Sequence, residues 1–187
     1  MTTTDDVISV RVRPWTPADR DAVVALVANI QASEFGVTVT PEQRADLERI
    51  EDTYRHGAGN FWVAVDQAAP ESVIGVIGLH DLGNGNGALR RMFVDEQYRG
   101  RALGIASSLL DTLAAWAAER GIRTLYLGTH DDLRAARRFY ARVGFTDIEH
   151  SALPASFPFH HATRFAAGDP RRIRRVLDAA RTSPMPD

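Results

Sequence analysis

The chain has 187 residues, a length that predicts one domain with a sizeable core, since domains commonly hold roughly 100–200 residues and no break in composition divides it. Its 22 basic residues, all arginine, nearly balance 24 acidic ones, which argues against a generic nucleic-acid binder. Cysteine is absent, so a disulfide framework, a thiolate metal site and a cysteine nucleophile are excluded.

The first six residues are polar and acidic and lack the basic and apolar regions of a secretory signal. The longest apolar run, residues 23–28, is far short of the ~20 residues needed to cross a bilayer, so a cytoplasmic protein without membrane contact is expected. Residues 8–13 alternate apolar and polar before Pro14, as an edge-type strand does. Thr16-Pro17 then caps a first helix with Ala22, Val23, Leu26, Val27 and Ile30 on one stripe, closed by Gly36. A second helix is expected from Thr40-Pro41 through Leu47 and Ile50 toward Tyr54, ending near Gly57. Residues 61–65 and 73–79 are β-rich and read as a hairpin around a turn at residues 66–71 that contains Pro70. A second turn at residues 83–87, made of glycine and asparagine, leads into a strand at residues 88–94.

The clearest helix carries Leu103, Ala106, Leu109, Leu110, Leu113 and Ala117 on one stripe and is closed by Gly121. A short strand at residues 124–128 precedes a helix marked by Ala135, Ala136, Phe139, Tyr140 and Val143, which Gly144 ends. Residues 145–148 resume extended structure, and a last strand is expected at residues 162–165 after a loop with Pro154 and Pro158. Asp169-Pro170 caps a final helix through Leu177, and residues 182–187, with two prolines, are expected to be disordered.

The stretch from Met92 to Ala106 carries the most chemistry. A β-branched and aromatic strand passes through a polar turn into a glycine-bearing helix start. A helix start presents unpaired backbone N–H groups and roughly +0.5 of a charge, so small residues there let an anion reach the amides. Arg99 and Arg101 add positive charge, and the whole reads as a phosphate cradle.

The element order, strand, helix, helix, three strands, helix, strand, helix, strand, strand, resembles the GNAT N-acetyltransferase superfamily. Two motifs carry the resemblance. Arg99-Gly100-Arg101-Ala102-Leu103-Gly104 is similar to that family's Arg/Gln-x-x-Gly-x-Gly/Ala signature, with Ala102 in place of the usual middle glycine. Ala136-Arg137-Arg138-Phe139-Tyr140-Ala141-Arg142-Val143-Gly144-Phe145 is similar to its later Ala-x-x-Phe-Tyr-x-x-x-Gly-Phe pattern. The frequent asparagine at the position of Leu133 is missing. The resemblance implies an α/β (α+β) fold: a mixed, mostly antiparallel central sheet flanked by helices, with a V-shaped opening between the fourth and fifth strands. It also implies acetyl-CoA as cosubstrate, with the pyrophosphate on backbone amides of Arg101, Ala102, Leu103, Gly104, Ile105 and Ala106. The pantetheine arm would pair with the edge of Met92, Phe93 and Val94, and an N–H of Phe93 or Val94 would face the thioester oxygen. A homodimer is compatible with it.

Tyr140 is the candidate acid. A phenol with a reference pKa of about 10 can donate to a departing thiolate near 8.5, a transfer uphill by roughly 2 kcal/mol. From spacing alone, a core aromatic beside Phe139 is an equal reading. Relatives often carry a carboxylate on the strand that corresponds to residues 88–94, and none is present here. The candidate bases are Glu34 at the end of the first helix, His80 and Asp81 after the third β-run, and His130 after the strand at 124–128. The bland readings are a solvated helix end for Glu34 and an exposed loop for His130. His160-His161 point to opposite faces if extended, so no metal is expected. The leading reading is an N-acetyltransferase in which an amine of a small molecule or protein attacks the thioester directly. The alternative is a non-catalytic acyl-CoA-binding module, while a dinucleotide oxidoreductase is disfavoured because the glycine motif follows several strands rather than the first.

Overall fold

A computed structural model describes residues 9–36, 40–100, 104–158 and 162–182. The expectations placed on Arg101, Ala102, Leu103, His160, His161 and the tail beyond residue 182 lie outside the described residues. The centre is a seven-stranded sheet of β1 (Val10–Pro14), β2 (Asn60–Asp66), β3 (Ala69–Gly83), β4 (Asn86–Val94), β5 (Thr124–Thr129), β6 (Thr146–Ile148) and β7 (Arg164–Gly168), in the order β1-β2-β3-β4-β5-β7-β6. Every neighbouring pair is antiparallel except β4 and β5. This is the mixed, mostly antiparallel sheet anticipated above.

Helices cover both faces. On one lie α1 (Arg20–Phe35), α2 (Pro41–Glu48) and α3 (Ile50–Tyr54), whose Val23, Val27, Leu47 and Ile50 pack on Phe61, Val63 and Val76. On the other, α4 (Ile105–Glu119) and α6 (Pro170–Thr182) set Leu109, Leu113, Ile173 and Leu177 against Trp62, Ile77, Leu125 and Leu127, with α5 (Arg134–Val143) adding Val143. β2 is therefore buried on both sides, which is why its sequence is an unbroken apolar run. Among the described residues no helix is long and apolar enough to cross a membrane.

Three expectations shift. The second helix breaks at Arg49, with φ −125° and ψ 47°, into α2 and α3. That break lets the Tyr54 hydroxyl reach Asp46, eight residues earlier, at 2.8 Å; in an unbroken helix they would stand roughly 12 Å apart along the axis. The first hairpin turns more tightly than expected, with Ala69 opposite Asp66, and Pro70 falls in a bulge where no ladder donor is needed. The last strand runs over Arg164–Gly168, because five consecutive residues pair with β5, and Ala166, Ala167 and Gly168 carry little strand signal of their own. The second hairpin closes as read, with Asn84 and Gly85 both at positive φ in a two-residue turn.

Candidate active site

The site begins where the sheet comes apart. β4 and β5 pair only at Asn86 with Thr124, Gly87 with Leu125 and Ala88 with Tyr126, after which β4 continues to Val94 without β5 beside it. β4 also carries a bulge: its partners on β3 step from Phe93 opposite Val76 to Arg90 opposite Gly78, so Arg91 and Met92 share the space of one residue. Arg91 has φ +54°, unusual for a non-glycine residue. A bulge bends the strand and steepens its twist, which turns the far half of β4 away from β5. The expected V-shaped opening follows from this.

The bulge also breaks the alternation of side chains. Leu89 and Met92, three residues apart, both face the α4 side, whereas Arg90 and Arg91 both interact with Asp46 and Tyr54 on the α2–α3 side. Arg91 forms a bidentate pair with Asp46, Nε to Oδ2 at 2.9 Å and Nη2 to Oδ1 at 2.8 Å, and the Tyr54 hydroxyl donates to the same Oδ2. Burial by itself would lower the Arg91 pKa, but the Asp46 hydrogen bond and charge outweigh it and hold it above its ordinary value. Burial, then the Asp46 charge, pushes the Tyr54 phenol well above its ordinary value. The Tyr54 ring fits because position 78 is glycine: a Cβ there would lie 2.6 Å from Tyr54 Cε1. His80 stacks on the same ring at 4.3 Å between centroids.

The carboxylate missing from β4 is thus supplied to its bulge from α2, although as a partner of Arg91. Sequence reasoning missed Asp46, since nothing local marks a contact across 45 residues. The three-residue spacing of Leu89 and Met92, with two arginines between, is the signal that could have revealed the bulge.

Tyr140 stands on α5 and meets the parted strand: its hydroxyl points at Met92 Sδ, 3.5 Å away. The ring lies edge-on to Phe139 and Phe145, each 5.6 Å between centroids. The ring is packed in the core, as the core-aromatic reading expected, and its hydroxyl lies at β4. Burial pushes this phenol well above its ordinary value.

At the end of β4 the backbone can be oriented from its neighbours. Asp95 N–H donates to Ile74 C=O of β3 at 2.9 Å, so alternation turns Phe93 toward β3 and Val94 away from it. The Val94 carbonyl accepts from Arg99 Nε at 2.8 Å, and Arg99 Nη2 is ion-paired with Glu34 at the end of α1. Glu34 is thereby tied through Arg99 to Val94. Gly104 adopts a left-handed conformation, φ +59° and ψ 20°, immediately before α4, which reserves the position for glycine. α4 starts at Ile105, so the amides of Ile105 and Ala106 lie in its first turn, where an α-helix has no intrahelical acceptors for them.

The other candidates are placed elsewhere. Asp81 accepts from the amides of Ala58 and Gly83, at 2.9 and 2.8 Å, and so ties two loops together. His130 is exposed in the turn after β5. Thr129, at the end of β5, buries a hydroxyl that has no partner among the described residues. No three His, Asp or Glu side chains gather as a metal site among the described residues.

Known proteins share this arrangement. The model of the acetyltransferase (GNAT) family matches residues 24–145. The chain is 34% identical over 116 residues to an N-acetylaspartate synthetase of Xenopus tropicalis, covering 59% of this chain and 41% of that one. It is 29% identical over 104 residues to N-acetyltransferase 8F1 of Rattus norvegicus, covering 54% and 46%. The chain thus spans less than half the length of these two curated relatives. A GNAT-family acetyltransferase structure from Staphylococcus aureus superposes with a TM-score of 0.79 at 33% identity, over 86% of this chain and 99% of that one. The PaiA N-acetyltransferase of Thermoplasma acidophilum, solved with coenzyme A, shares the fold at a TM-score of 0.68 and 15% identity, over 87% and 99%. The parted β4 and β5, the glycine-led α4 and the match across most of the chain come together in one assignment: this protein belongs to the GNAT acetyltransferase family.

Proposed function

We propose that the chain is an acetyl-CoA-dependent N-acetyltransferase in which a primary amine, of a small molecule or a protein, attacks the thioester directly. The observation that carries this reading is the parting of β4 from β5 with the Tyr140 hydroxyl set against Met92 of the parted strand. The residues present fit coenzyme A. The amides of Ile105 and Ala106 at the start of α4, with Gly104 ahead of them, suit a pyrophosphate. The open edge of Met92, Phe93 and Val94 suits an extended pantetheine arm, and the Thr129 hydroxyl, without a partner among the described residues, lies on the strand across the opening. Arg99 and Gly100 lead into this cradle; Arg101, Ala102 and Leu103 complete the proposed binding sequence.

Val94 is the residue whose amide supports the oxyanion, because its backbone is turned away from β3. As the amine nitrogen bonds to the carbonyl carbon and the C–S bond breaks, Tyr140 offers its hydroxyl to the sulfur. A phenol raised by burial is a firm hydrogen-bond donor and a reluctant acid, so its role leans on stabilising the thiolate as it forms. Glu34, held beside the Val94 carbonyl by Arg99, takes up the proton lost by the amine, through water.

Thiol release from acetyl-CoA, measured against a panel of primary amines, tests this. Amine-dependent release is expected. Tight acetyl-CoA binding with no amine-dependent release would instead identify the chain as an acyl-CoA-binding module.

A further inference from the structure

Successive strand residues point to opposite faces, yet the bulge brings Arg90 and Arg91 onto one face, beside Asp46 and Tyr54. Asp46 has one negative charge, and Arg91 takes both of its oxygens. Arg90 makes no ion pair or side-chain hydrogen bond among the described residues. Burial outweighs the attraction of the Tyr54 and Asp46 charges and holds its proton affinity below the ordinary value, so this guanidinium is partly stripped of water with no hydrogen bond to a carboxylate among the described residues. Two arginines against one aspartate leave a single positive charge at the bulge. A guanidinium presents a planar fork of donors that matches a carboxylate in shape and charge, whereas a phosphate dianion would overshoot that single charge.

We propose that Arg90, backed by the Arg91–Asp46 pair, binds a carboxylate of the acceptor, so that the amine acetylated by this enzyme carries its own carboxylate, as an amino acid does. The inference rests on the transferase reading above and names its substrate class. Arg90 and Val94 share one strand, roughly 13 Å apart for an extended chain and closer across the bulge. That separation is short enough for one small acceptor to reach from the guanidinium to a thioester held at Val94.

The test measures thiol release from acetyl-CoA with α-amino acids, each beside its own amide and its decarboxylated amine, and with phosphoethanolamine as the dianionic arm. The wild type is expected to favour acids over amides by about tenfold or more in kcat/KM, a difference near 1.4 kcal/mol. Arg90→Gln and Arg90→Met bring that ratio toward one, through a higher KM for the acids. Neither variant lowers the melting temperature appreciably, because Arg90 makes no ion pair or side-chain hydrogen bond among the described residues and its burial cost exceeds what the Asp46 and Tyr54 charges return; a purely structural arginine would lower it. Equal use of acids and amides by the wild type, or a ratio unchanged in Arg90→Gln, overturns the proposal while leaving the transferase intact. Preference for phosphoethanolamine overturns the carboxylate assignment, and failure of every amine overturns the transferase reading itself.

Discussion

Replacement of Asp46 by alanine probes the contact that holds α2 to the bulge. Arg91 and Asp46 are 13% and 19% exposed, joined by two hydrogen bonds, and Asp46 also accepts from the deeply buried Tyr54. Removing one member of a buried pair strands the other charge at roughly 3–5 kcal/mol, and an orphaned hydroxyl adds about 1 kcal/mol. The residual exposure of both groups lets water recover part of this, so the expected loss is about 3 kcal/mol. In urea, with a slope of about 2 kcal/mol/M, the unfolding midpoint falls by about 1.5 M. The double variant Asp46→Ala, Arg91→Met removes both charges at once and should regain most of the loss, because an apolar replacement of a whole ion pair is close to neutral. Two results would refute the reasoning: a single variant within about 0.5 kcal/mol of the wild type, or a double variant whose loss equals the sum of the two singles.

Tyr140→Phe should lower kcat on the order of a hundredfold with little change in acetyl-CoA affinity, and burial of the phenol means that wild-type turnover shows no loss from this residue below about pH 10. An alkaline limb below about pH 9 that disappears in the variant contradicts a neutral donor. Gly104→Glu puts bulk and negative charge at the start of α4, on a backbone with φ +59°, and should abolish acetyl-CoA binding by titration calorimetry; unchanged binding sinks the cradle. Gly104→Ala, which adds strain of roughly 1–2 kcal/mol and no charge, should weaken binding without abolishing it. Asp19 ties β1 to the start of α1, accepting from Arg13 at 2.7 and 2.7 Å and from Thr16. Burial alone would raise its pKa, but these hydrogen bonds outweigh burial and hold the carboxyl below its ordinary value. A carboxylate depressed by folding adds stability that is complete above its unfolded value of about 3.9 and is lost as pH falls through the folded value. The stability difference between wild type and Asp19→Asn should therefore be flat above about pH 5 and shrink below about pH 4, as read from urea unfolding across pH; a difference that grows in acid contradicts this.

Most of the element order was readable because its signals are local. The stripe of Leu109, Leu110 and Leu113, the helix-ending Gly36 and Gly144, and the Asn84-Gly85 turn each act within a few residues, and the structure honours each of them. The two motifs around Gly104 and Tyr140 are likewise contiguous, so the proposed phosphate cradle and the candidate acid could be named in advance. The limits of elements were less legible where pairing decides them. β7 extends over Ala166 and Ala167 because β5 and β6 lie on either side, and Pro70 sits in a bulge that only the register of β2 and β3 creates.

The sequence by itself therefore determined which segments are helices and strands, which helix start is the candidate for a phosphate, and that β4 carries no carboxylate. Only the tertiary structure decided that β4 bulges at Arg91, that two adjacent arginines share one face, that Asp46 comes from α2 to meet one of them, and that Glu34 is tied through Arg99 to Val94. The physical reason is one of range. Helix stripes, caps and turns are governed by dihedral preferences and by contacts a few residues apart, whereas a bulge is a mismatch between two paired strands and an ion pair across 45 residues exists only once the sheet and its covering helices have packed.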